Sequence, residues 1–347
     1  MFRSFSGQAM IAKAHAMYGK RLKSENYHEL VRLKSVGDIA AYLKNTPGYA
    51  DTLANIYPES IHRGQLELLL RKSVFNKYVR LARYDTTSKN SFLFFLVSRL
   101  EIEQIMRSIM FLNANDERFI EELPGYLISH ATFSLLELAK VRDFDGLLTV
   151  LEHTPYHDAL IPMEPEDGKK IDYTGCEAAL NTLYYEQILK KIDKTVKGKS
   201  REELKTILKT QVDLINLSIV FRLKCFFQMD DAEIRSHLLP FHYRLSKDRL
   251  DALLAAETKE DIFSFIRSTN SYRKTLDLSR FSYIEDYIKQ INSFYSKHLM
   301  RFSSSAPAVV YGYMELLQIE LMNITNIIEG IRYGLAAENI LKLLIII

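Results

Sequence analysis

Three acid–amide pairs are the residues of this chain whose types and spacing could do chemistry: Glu101 with Gln104, Asp213 with Asn216, and Glu320 with Asn323. A carboxylate three positions before a carboxamide sets two acceptors and an amide on one helix face. Two uses follow. The pair can hydrogen-bond between helices, or it can line a central polar surface. Ile102 and Ile105, Leu214 and Leu217, and Leu321 and Ile324 stand one and four positions after each acid, so every pair runs beside an apolar stripe. That setting favours the structural use.

Other groups with chemical potential lack partners in the sequence. Gly198-Lys199-Ser200 copies the end of a phosphate-binding loop, but Asp193 occupies the place of the leading glycine and no strand precedes it. His153 and His157 are separated by Pro155, and His237 and His242 flank Pro240, so neither couple forms a helical metal pair. Glu164, Glu166 and Asp167 form an acidic loop with no histidine or cysteine beside them. Cys176 and Cys225 are isolated, which excludes a disulfide framework or a zinc site. No residue is therefore assigned a catalytic, cofactor-binding or metal-binding role, no cofactor is expected, and partner-contacting residues are left unassigned.

The elements that must carry these residues are read from a second repeated pattern. An aliphatic residue, then an aspartate, a tyrosine and a leucine recur with the same spacing as Val31-Asp38-Tyr49-Leu53, Leu138-Asp145-Tyr156-Leu160 and Leu254-Asp261-Tyr272-Leu276. The period, about 110 residues, is too long for a solenoid unit and suits small domains. Between aspartate and tyrosine, apolar residues such as Ile39 and Leu43, or Ile262, Phe263 and Ile266, mark a short amphipathic helix. The aspartate stands at its start, as a side-chain cap or a first-turn acid. Thr46-Pro47-Gly48, Thr154-Pro155 and Thr269-Asn270-Ser271 then break the helix before the tyrosine. Tyrosine and leucine read as core anchors.

Two longer helices follow each motif: 65–82 and 91–112, then 177–194 and 202–224, then 283–300 and 309–335. The second of each couple carries the acid–amide pair. The expected fold is all-α, with three similar helical-bundle repeats at 1–125, 126–232 and 233–347. Composition agrees, since eight prolines and thirteen glycines in 347 residues leave little turn chemistry for a β fold. Twenty tyrosines and nineteen phenylalanines, with no tryptophan, predict aromatic-rich cores.

A net charge of +3 gives no argument for nucleic acid, and the run Lys190, Lys191, Lys194, Lys197 and Lys199 reads as a solvated helix end. Met1 to Gly19 lacks the apolar core of a secretory signal, and no apolar run reaches the ~18 residues of a bilayer span. The apolar tail Ile340 to Ile347 is short and interrupted by Lys342, so it is expected to pack on protein. Asn216-Leu217-Ser218 and Asn323-Ile324-Thr325 match the glycosylation sequon but fall inside apolar helices, and they are discounted.

The opening Ala12-Lys13-Ala14-His15-Ala16-Met17-Tyr18-Gly19-Lys20-Arg21-Leu22 leads into Tyr27, Leu30, Asp38 to Lys44 and Tyr49, and Glu320-Leu321-Met322-Asn323 leads into Ile331-Arg332. With the triplicate spacing, these residues resemble the C subunit of the bacterial and archaeal V-type ATPase, the counterpart of the eukaryotic d subunit. Arg107, Arg222 and Arg332 depart from the repeat, since they stand at different offsets from their acids, and Ile345-Ile346-Ile347 has no evident counterpart. The resemblance implies a funnel of three bundles with pseudo-threefold symmetry and no catalysis of its own. It implies a rotor component on the cytoplasmic face of the membrane, joining the proteolipid ring to a central shaft of the D and F subunits during ion transport or ATP synthesis. The other classes kept open are a helical scaffold or adaptor unrelated to rotary motors, and a helical enzyme with a site hidden between bundles.

Overall fold

A computed structural model describes residues 2–84, 91–116, 123–166, 168–256, 258–268 and 284–346. In chain order the helices are α1 (Phe2–Tyr18), α2 (Ser24–Leu30), α3 (Val36–Lys44), α4 (Ala50–Leu53), α5 (Arg63–Ala82) and α6 (Ser91–Ala114). Then follow α7 (Leu135–Leu138), α8 (Phe144–Leu151), α9 (Pro155–Leu160), α10 (Tyr173–Thr195) and α11 (Lys199–Cys225). After α12 (Asp231–Ser236) come α13 (Lys247–Leu254), α14 (Lys259–Ser268), α15 (Ile284–Phe302), α16 (Ala306–Arg332) and α17 (Ala337–Lys342). The protein is all-α. Among the described residues there is no strand, and no helix is long and apolar enough to cross a membrane.

The long helices form where apolar residues recur at three- and four-residue steps. In α5 the buried set Leu66, Leu70, Val74, Tyr78 and Leu81 makes one continuous stripe. Burying each such aliphatic side chain contributes roughly 1.5–3 kcal/mol. Helix α16 carries Pro307 in its first turn, where the fixed φ and missing N–H are tolerated. It buries residues nearly all round, from Val309 and Tyr313 to Ile327 and Ile328. A helix apolar on every side belongs at a centre, and α16 is flanked by α15, α1 and α5.

At the short motif helices, the repeated aspartate proves to be the first-turn acid, and a neighbour supplies the cap. Ser35 Oγ accepts from the N–H of Asp38, Asp143 from Gly146, and Thr258 Oγ1 from Asp261. Asp261 also returns the bond, accepting from the N–H of Thr258 at 3.0 Å, which completes a capping box. Tyr49, Leu53, Tyr156 and Leu160 are buried anchors as expected. Ile266, Thr269 to Ser271, Tyr272 and Leu276 lie outside the residues whose side chains are described.

Contacts divide the chain into two compact units, one of residues 1–92 with 275–347 and the other of residues 93–274. This division differs from one by sequence repeat because the N-terminal segment packs on α16, far along the chain. In the first unit α16 is the axis. In the second, α10 packs on α9 and α11, and α11 carries α12 and α14. The C-terminal tail packs on protein: Ile340 and Ile345 are buried, and the side chain of Ile340 presses on Gly330 of α16.

Candidate functional site

Each closing helix turns its acid–amide pair inward, and every one of the six residues is buried. On α16 the two oxygens of Glu320 take separate donors. Oε2 accepts the backbone N–H of Leu22 at 2.8 Å, and Oε1 accepts the hydroxyl of Tyr49 at 2.6 Å. Glu101 on α6 repeats this, accepting the hydroxyl of Tyr156 on Oε2 at 2.7 Å and the N–H of Thr132 on Oε1. Asp213 on α11, one methylene shorter, accepts three backbone N–H groups: Tyr243 at 3.2 Å, Arg244 at 2.7 Å and Leu245 at 3.1 Å.

The donors occupy equivalent places. Leu22, Thr132 and Leu245 each stand just before the first short helix of a motif, α2, α7 or α13. The long helix of the first repeat therefore holds the motif of the second, that of the second holds the start of the third, and that of the third holds the motif of the first. Tyr272 would complete the pattern at Asp213 and lies outside the described residues.

The amides fasten the chain that leaves each helix. Asn216 donates to the carbonyl of Leu239 at 3.0 Å and accepts its N–H at 2.9 Å. Asn323 does the same with Ile345, at 2.8 Å and 3.0 Å. Ile345 is thus the structural counterpart of Leu239, and the tail that lacks a counterpart in sequence has one in space. Both asparagines are fully buried, so the two sequons are closed to modification in the folded chain. The first repeat departs: Gln104 is longer by a methylene, and its buried Oε1 meets no donor among the described residues.

Electrostatics follow burial. Desolvation pushes the Glu320 carboxyl above its usual range, opposed by the charge of Lys77 and the bonds from Tyr49 and Leu22. Asp213 is likewise raised by burial, against the pull of the N–H groups of Arg244, Leu245 and Tyr243. Tyr49 and Tyr156 are pushed up, first by burial and then by the carboxylates they bond, so both hydroxyls stay protonated and donate. Each acid accepts donors on both oxygens, so the three act as clamps between separate segments, and Glu320 also borders a cavity.

Two results are expected from this geometry. Tyr156→Phe removes one charge-assisted bond and should lower unfolding free energy by about 1–3 kcal/mol in denaturant titration. Asp213→Ala strands three N–H groups and, with part of the loss offset by relief of the carboxyl's desolvation, should cost about 2–3 kcal/mol, whereas Asp213→Asn keeps one oxygen for two of the bonds and should cost about 1–2 kcal/mol.

The remaining sequence candidates are dispersed. Gly198 caps α11 with φ +63°, and the element before it is α10, so no strand–loop–helix cradle forms. His157 Nδ1 faces the Asp158 carboxylate at 3.3 Å, and His153 precedes the Pro155 that opens α9. His237 ends α12. Glu166 pairs with Lys169 at the surface, and Asp167 lies outside the described residues. Cys176 is buried, which pushes its thiol up to about 12 and makes it a poor nucleophile. Sequence reasoning passed over Lys77, whose amine sits 4.4 Å from the centre of the Tyr49 ring, beside Glu320. Its signal was present, because a lysine interrupts the helical stripe Leu70, Val74, Leu81.

Comparison with known proteins places this architecture among relatives. The family described as ATP synthase (C/AC39) subunit matches residues 10–343. The C subunit of an A-type ATP synthase of Thermococcus kodakarensis is 22% identical over 319 residues, covering 90% of this chain and 84% of that protein. One from Methanobrevibacter smithii is 24% identical, covering 96% and 86%. Another, from Archaeoglobus fulgidus, is 22% identical, covering 97% and 96%.

Proposed function

Because the chain belongs to the ATP synthase (C/AC39) subunit family, a non-catalytic part of rotary ATPases, we propose that it is the central-stalk piece that joins the shaft of the D and F subunits to the membrane proteolipid ring. The observation that carries this reading is the closed order of the buried clamps, in which each long helix grips the motif of the next repeat and the third grips the first. A part that transmits torque must resist shear between its segments. Packed helices resist compression, and buried acid bonds fix register between segments distant in sequence. We read the three repeats, 1–125, 126–232 and 233–347, as three bundles about a pseudo-threefold axis, seated at the cytoplasmic face.

The test is a map of the membrane complex purified through this chain. One copy seated between a proteolipid ring and the foot of the shaft is expected. Recovery of a soluble partner set lacking both ring and shaft would instead make it a scaffold unrelated to rotary motors.

A further inference from the structure

In the unit formed by residues 1–92 and 275–347, a cavity of about 190 Å³ opens between α1, α5 and α16. Cations converge on it from two sides: Lys13, Lys20 and Arg21 from the end of α1, and Lys77 and Arg80 from α5. Against them stand two acids. Among the described residues Asp51 pairs with Arg80, at 3.7 Å, and its side chain is 85% exposed. Glu320 forms the floor, and each of its oxygens accepts one donor, from Leu22 and from Tyr49.

Glu320 attracts both Lys77 and Arg21, but one carboxyl faces several cations. Lys13, Lys20 and Lys77 make no ion pair among the described residues. Arg21 uses Nη1 on the carbonyl of Tyr18 and stacks on that ring, while its Nε is buried with no acceptor among the described residues. A buried guanidinium N–H without an acceptor is a donor that a bound anion could use. Lys297 and Arg301 on α15 add to the field, since Arg301 and Arg21 both hold the Lys297 amine below its usual range, after burial. Burial likewise depresses Lys77. Cations clustered around a hollow attract an anion of matching size.

The geometry points to a binding site for a small phosphorylated ligand, its phosphate held by Arg21 and Lys77 and its less polar part against Tyr18, Tyr27 and Tyr313. Phosphate is favoured over a single carboxylate because the excess positive charge exceeds what one negative charge neutralises. An arginine fork with flanking lysines also suits a tetrahedral dianion. The three tyrosines supply a wall for an apolar or aromatic portion. The phosphate belongs either to a soluble ester or to a lipid headgroup.

Inorganic pyrophosphate, citrate, and vesicles of phosphatidylcholine with and without phosphatidic acid are to be titrated into the full chain, by calorimetry for the soluble ions and by flotation for the vesicles. Lys77→Met and Arg21→Gln keep most of each side chain's bulk, and their unfolding midpoints establish that they fold. Lys13→Ala with Lys20→Ala is the second set, at the half-buried and exposed rim. Saturable pyrophosphate binding, weakened at least about tenfold by each variant set, establishes a soluble phosphate ligand, since one lost charge-assisted bond is worth that much. Binding only to phosphatidic acid vesicles, with the same dependence, assigns a lipid headgroup. No binding by either probe overturns the proposal. So does preference for citrate, or binding that the variants leave unchanged and that Lys190→Ala with Lys194→Ala abolishes.

Discussion

Glu320→Ala is expected to lower the unfolding free energy by about 2–4 kcal/mol, among the largest losses from any single polar change in the chain. It strands two buried donors at once, the N–H of Leu22 and the hydroxyl of Tyr49. Relief of the desolvation that raises the Glu320 carboxyl offsets part of this, which keeps the figure below that of a fully ionised buried pair. Urea titration should show a lower midpoint with an unchanged slope. Amide exchange at Leu22 should accelerate while exchange at Thr132, held by Glu101, stays slow. A double-mutant cycle with Tyr49→Phe should give a coupling of about 1–2 kcal/mol. A variant within ~0.5 kcal/mol of the parent would show that the clamp does not hold the N-terminal motif.

The same residue sets a pH dependence. The folded pKa of Glu320 lies above that of the unfolded chain, so the folded state keeps a proton that the unfolded state releases first. Its contribution is full below the ordinary carboxylate pKa and is lost as pH rises through the raised value. The stability gap between the parent and Glu320→Gln should therefore widen as pH falls from neutral toward the ordinary carboxylate pKa. A gap that narrows over that interval contradicts the raised carboxyl.

Gly312→Val should cost about 3 kcal/mol or more. A β-carbon at Gly312 would stand 2.8 Å from the carbonyl oxygen of Ser296 and 3.1 Å from Cβ of Leu299. Both belong to α15, and one is backbone, so no side-chain rotation relieves the clash. Helices α15 and α16 would have to move apart at this crossing. Gly64 of α5 is the control, because nothing lies within 4 Å of a β-carbon there. Gly64→Ala should stabilise by about 0.5–1 kcal/mol through helix propensity alone. Thermal unfolding of both variants reads the contrast; equal effects at the two sites would refute the close crossing.

Periodicity made the helices legible to within a few residues, from 65–82 against α5 to 202–224 against α11. The acid–amide pairs were legible as recurring polar residues beside apolar stripes. Their partners were not, because Glu320 meets Tyr49 and Leu22 across separations of 271 and 298 residues, and no local pattern carries such a pairing. The usable clue was that a buried-type acid and a buried-type tyrosine recur with one period and each needs a polar partner. Leu239 and Ile345 were invisible because they offer only backbone atoms. The caps Ser35, Asp143 and Thr258 were overlooked because a conspicuous aspartate stands two or three residues further on. The cation cluster around Lys77 escaped because its members come from helices far apart in the chain.

The grip of α16 on residues 22 and 49 has a consequence for biosynthesis. Residues 93–274 contain every partner described for the Glu101 and Asp213 clamps and are finished on the ribosome before α16 is made. The N-terminal segment must wait, with Tyr49 and Leu22 still unmatched, until Glu320 has emerged. Its apolar residues, from Leu30 to Leu53, are therefore the stretch that a nascent-chain chaperone has longest to cover.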